Sequence, residues 1–116
     1  MSLTTQARTL PMSITTFLER SASAKPASAG ATFTESAVVV DDGKTYTGGA
    51  AIAAWLAGSV AEFEYTTTVL RTETDESSTT VVNRVTGNFP GRSVDLNYRF
   101  ELDSESGLIR ALTISI

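Results

Sequence analysis

A chain of 116 residues with net charge −4 and neither histidine nor cysteine has room for one domain, with a core that buries about two-thirds of its unfolded surface. The two missing residue types exclude an imidazole base, a Ser–His–Asp triad, a His- or Cys-ligated metal, a thiolate nucleophile and disulfides. Nine Lys and Arg lie singly among thirteen Asp and Glu, which leaves no basic stripe for nucleic acid, and no apolar run approaches the roughly 20 residues of a membrane span.

Residues 1–10 are polar and aperiodic, with no apolar signal region; they read as a flexible lead-in to a single domain over 1–116, and a cytoplasmic location is the expectation. Pro11 suits a helical first turn, and Ile14, Phe17 and Leu18 form an apolar stripe, which predicts a helix over about 11–23. The Ala-rich stretch 25–36 opens with a Lys-Pro pair and reads as a second, short helix that presents Phe33 inward. The period then changes to two. AVVVD at 37–41 predicts a strand, Asp42-Gly43 a turn, and 44–47 the partner strand carrying Tyr46. Gly48-Gly49 breaks that strand before a third helix over 50–60, with Ile52, Trp55, Leu56 and Ser59 on one face.

From residue 62 onward the chain reads as strands, at 62–75, 79–89, 93–102 and 108–116. Helices followed by a run of strands imply an α+β fold, a curved and mainly antiparallel sheet with its helices on one side. The last strand carries apolar residues in both parities, Leu108, Leu112 and Ile114 against Ile109 and Ala111. That pattern leaves an apolar face away from the helices, which a second copy would cover in a sheet-to-sheet homodimer.

This order, with the segments AVVVDDGKTYTGGAAIAAWL and GNFPGRSVDLNYRFELDSESGLIRALTI, resembles the nuclear transport factor 2-like superfamily. Within it the chain is most similar to the SnoaL-like branch, related to polyketide cyclases and ketosteroid isomerases, over about residues 11–116. The resemblance implies a cone-shaped α+β barrel whose three helices and curved sheet enclose an apolar pocket, commonly in a homodimer. In ketosteroid isomerases an Asp at the end of the first strand shuttles the proton, and Asp41 matches that place. The two oxyanion donors fall on Phe17 and Leu96, which cannot donate. Asp95 adjoins Leu96, but period two sends it to the opposite face. Losing one such donor costs about 2.7–4 kcal/mol, so steroid isomerisation is not expected.

Asp41 has two readings: a pocket base beside Ala37 and Val39, or half of a solvated Asp41-Asp42 turn pair. Phe17, Phe33, Tyr46, Trp55, Phe89 and Tyr98 are the candidate ligand wall, though plain core packing is the commoner role for each. Arg84 and Arg99 require a carboxylate partner or an anionic ligand if they point inward; the alternative is a cross-strand pair on the outer face or at a dimer seam. The expected function is binding of a small apolar or aromatic molecule in the barrel, with isomerase- or cyclase-like proton transfer through Asp41 and with no cofactor or metal. The alternative is a non-catalytic dimerisation or protein-association domain with a filled pocket.

Overall fold

The computed structural model describes residues 10–21, 23, 25–61, 65–75, 78–87 and 93–116. Its elements are helix α1 (Met12–Ser21), a 3-10 helix (Pro26–Thr32), strands β1 (Phe33–Asp41) and β2 (Lys44–Thr47), helix α2 (Gly49–Ala61), and strands β3 (Tyr65–Thr74), β4 (Thr79–Gly87), β5 (Ser93–Leu102) and β6 (Ile109–Ser115). The strands form one sheet in the order β2-β1-β6-β5-β4-β3. Neighbours are antiparallel except β1 and β6, which run parallel. This is the expected α+β layout, with the first and last strands, β1 and β6, paired side by side.

Two local expectations are corrected. Residues 33–36 were expected at the end of the second helix; they open β1 instead, and Phe33 pairs with Ile109 on β6. Helical structure stops at Thr32, whose hydroxyl bonds back to the Ala29 carbonyl, and the bulky Phe33 is better buried on a pleated surface than on a 3-10 turn. The second correction concerns β6. Its register slips between Ile109 and Ala111 opposite Glu101 and Leu102, which makes Arg110 an extra, bulged residue. The bulge puts Ile109 and Leu112 on the same buried face, and Ala111 is only partly buried. The apolar outer face read from strict alternation is therefore absent from this strand.

The sheet face toward the helices carries Val39, Leu112, Phe100 and Val81, packed with Ile14 and Phe17 of α1 and with Ile52, Trp55 and Leu56 of α2. Pro11 precedes α1, and its carbonyl accepts the N–H groups of Ile14 and Thr15 at 3.0 and 3.1 Å. The Ser13 hydroxyl ties that end to the Gly107 carbonyl at 2.8 Å. The outer face is mixed, with Val38, Val40, Val82 and Ala111 among charged pairs. Arg84 binds Asp95 through two nitrogens at 2.8 and 3.3 Å, and Arg99 and Arg110 converge on Glu101 at 2.9 and 3.1 Å. The Arg84 hydrogen bond holds the Asp95 carboxyl below the usual carboxylate range. Asp95 thus lies on the face opposite the core-packed Leu96, as the strand period requires. Among the described residues no helix is long and apolar enough to cross a membrane.

Candidate functional site

Asp41 ends β1 on the face that carries Ala37 and Val39, both fully buried. Its cross-strand neighbours are Lys44 on β2 and Ile114 on β6, while Tyr46 stands opposite Val39 on the same face. The turn between the strands has φ of 55° at Asp42 and 75° at Gly43. Positive φ at both central positions is the geometry that matches the twist of a two-residue hairpin, and Asp-Gly is among the pairs that tolerate it. The hairpin therefore holds Asp41 and Lys44 side by side.

Gly48 then reverses the chain. Its φ is 90°, its N–H donates to the Ala37 carbonyl at 2.9 Å, and its carbonyl accepts the Ile52 N–H at 3.0 Å as the first bond of α2. The helix consequently packs back across the hairpin that precedes it. At 1.5 Å per residue, Trp55 lies about 9 Å along from Gly49, level with the end of β1. There its indole Nε1–H donates to Asp41 Oδ2 at 2.9 Å. Trp55 is only 9% exposed, and its ring lies 6.1 Å from that of Tyr46 with 34° between the planes.

Between hairpin and helix lies an open concavity of about 510 Å³, bordered by Asp41, Asp42, Lys44 and Tyr46 on the hairpin and by Ala51, Ala54, Trp55 and Gly58 on α2. These helical residues fall at i, i+3, i+4 and i+7 and share one face. Three of the four have a methyl group or less, so the space exists because the helix has little side chain there. The sequence reading passed over these small residues; their spacing in GAAIAAWLAG was the available signal.

The candidate wall divides. Asp41, Tyr46 and Trp55 come together at the concavity. Phe17, Phe33 and Tyr98 do not border it: they form a cluster under α1 with Phe100. Phe17, 1% exposed, meets Phe33 and Phe100 edge to face, each at 5.6 Å, and Tyr98 at 6.5 Å. Phe89 lies outside the described residues. Arg84 and Arg99 take the outward alternative and pair with carboxylates. A second recess, of about 340 Å³, includes Asp75, Ser78 and Asp103. Its Asp103 accepts the Ser106 and Glu105 N–H groups at 2.8 and 3.2 Å, and these bonds, Ser106 first, hold its carboxyl below the usual range. Among the described residues no three Asp or Glu cluster as metal ligands.

No protein-family model matches the chain. No curated protein matches it either. Solved structures do. The chain is similar to a candidate polyketide cyclase from Sinorhizobium meliloti, at 28% identity and a TM-score of 0.84, over 91% of this chain and 95% of that one. It is similar to a protein of ketosteroid isomerase-like fold from Catenulispora acidiphila solved with trimethylamine, at 19% identity and TM-score 0.80, over 93% and 87%. It is also similar to a nuclear transport factor 2-like protein of unknown function from Cytophaga hutchinsonii, at 10% identity and TM-score 0.67, over 89% and 85%. The fold is the nuclear transport factor 2-like fold that ketosteroid isomerase-like and polyketide cyclase-like proteins share.

Proposed function

We propose that the chain binds a small, largely apolar organic molecule in the concavity between the β1–β2 hairpin and α2, with Asp41 as its polar anchor. One observation carries this reading: Asp41, at the rim of the concavity, has its carboxylate oriented by the Trp55 indole at 2.9 Å. An oriented acceptor beside aromatic and alanine surface is the mixture that small-molecule sites use, apolar area for affinity and a few polar groups for orientation. The structural neighbours support a small ligand, since one is a candidate polyketide cyclase and another is a trimethylamine complex.

A second reading, proton transfer from a carbon acid to Asp41, is favoured by the place of Asp41 at the end of β1, where the resemblance puts a base. The carboxylate would take the proton, and the enolate would rely on Tyr46 or water, because Phe17 is packed in the core and neither it nor Leu96 donates. A second copy of this chain is the partner we propose for the outer sheet face. Recovery of a small molecule by native mass spectrometry of the purified protein, lost in Asp41→Asn, supports the binding reading. A protein that carries nothing and gives no saturable response to small organic ligands would instead be the association domain.

A further inference from the structure

An occupant of the Asp41 concavity covers the Asp41 carboxylate and takes it out of water. A buried charge without a partner is costly, so the occupant has to bring compensation with it. What the protein itself offers is small. Oδ2 takes the Trp55 N–H, an uncharged donor, and among the described residues no hydrogen bond reaches Oδ1. Lys44 stands directly opposite Asp41 in the strand register, yet it is exposed and its ammonium makes no ion pair among the described residues. Two carboxylates, Asp41 and Asp42, face one ammonium, Lys44, around the lining, so its formal charge is negative.

Resting on the binding reading above, we propose that the site takes an organic ammonium cation, a positively charged nitrogen carrying small alkyl groups. The charge compensates Asp41 as it is covered. Tyr46 and Trp55 border the same space, and aromatic rings attract cations through their negative faces, the indole most strongly. Ala51, Ala54 and Gly58 complete the wall with surface that suits alkyl groups and competes for no hydrogen bond. With an ammonium on it, Asp41 is an anchor and not a base, so the proposal also decides against proton transfer at this carboxylate.

Trp55 is the chain's single tryptophan, so its emission reports the site directly. The test titrates the protein with choline, with its uncharged isostere 3,3-dimethylbutanol and with the anionic 3,3-dimethylbutyrate. Choline is expected to saturate with a Kd lower than that of the alcohol by about tenfold or more, and butyrate is expected not to bind. Asp41→Asn should erase the preference for choline. Its fold should be retained, because an amide oxygen still accepts the Trp55 N–H, and thermal melting by circular dichroism checks this. Lys44→Gln, at an exposed position, should tighten choline and serves if the Asp41 variant is unstable. Equal Kd for choline and the alcohol overturns the cation proposal and leaves the binding reading standing. Tighter binding of butyrate overturns it in favour of Lys44 as the anchor. No response to any of the three overturns the cation proposal, and the binding reading is then decided by the native mass spectrometry above.

Discussion

Trp55 has two roles that phenylalanine could only half fill. Its ring packs with Ile52 and Leu56 in the core, and its N–H orients Asp41. Trp55→Phe keeps most of the packing and leaves a half-buried carboxylate to water. A hydrogen bond to a charged acceptor contributes about 1.5–3 kcal/mol, so a loss near the lower end is expected, read as a lower urea midpoint by circular dichroism at unchanged slope. An unchanged midpoint would show that the bond does not contribute to stability. Phe17→Ala, by contrast, should cost about 3–5 kcal/mol, since it empties the centre of the aromatic cluster, and it should leave binding at Asp41 intact in whatever fraction remains folded. Much of this was legible residue by residue. The alternation of AVVVD put Asp41 on the face of Ala37 and Val39, and helical spacing put Trp55 with Ile52 and Leu56. The bond between Asp41 and Trp55 was not legible. It spans 14 residues and depends on how far Gly48 turns the chain and how α2 is rotated, and no local pattern encodes either. The separation of Phe17 from the site was hidden for a related reason: an aromatic side chain reads the same whether its ring faces a cavity or three other rings.

Elements are joined here by turns whose chemistry can be tested one at a time. Gly43, at φ 75°, sits where a Cβ meets open space but a strained backbone. Gly43→Ala should destabilise by about 1 kcal/mol through that strain alone, measured as a shift in Tm. A larger loss of ligand affinity than of stability would show that the hairpin sets the spacing of Asp41 and Lys44. The β5–β6 turn depends on Asp103, which accepts N–H groups from Glu105 and Ser106. Because those bonds depress its folded-state pKa, its contribution is present above the unfolded value of about 3.9 and is lost as pH falls through the lower folded value. Asp103→Ala should therefore lower Tm at neutral pH and flatten the fall in Tm on the acid side of about pH 4; an unaltered acid limb would remove this carboxylate from the linkage. At this scale β5 was the clearest element in the sequence, since Val94, Leu96, Tyr98, Phe100 and Leu102 alternate without a break over the range observed. Residues 33–36 were the least clear. Pro26 and the alanines signal helix, and what ends it is the parallel pairing of Phe33 with Ile109, a partner 76 residues away.

At the scale of the molecule, the outer sheet face decides whether a second copy can bind. Strict alternation suggested an apolar face on β6, and the bulge at Arg110 removes it by turning Ile109 inward. What remains is a mixed face, on which Val38, Val40, Val82 and Ala111 lie among guanidinium–carboxylate pairs: Arg84 with Asp95, Arg99 and Arg110 with Glu101, and Arg71 with Glu73. The pairs are solvated and contribute little to the monomer. Their interspersed signs, however, suit a two-fold interface, in which each guanidinium of one copy can lie over a carboxylate of the other. A homodimer built this way is held by polar complementarity over an interface of roughly 1,000 Å² or more, so it should be sensitive to salt where an apolar one would not be. Light scattering at micromolar protein should give the dimer mass at low ionic strength. The mass should fall toward that of the monomer near 1 M salt, where screening acts within about 3 Å. Arg84→Glu, which sets two like charges beside each other at Asp95, should give monomer at every salt concentration with little change in Tm, because the native pair is exposed. A monomeric mass for the unaltered chain at low salt would overturn the dimer. A dimer indifferent to salt would move the interface off this face.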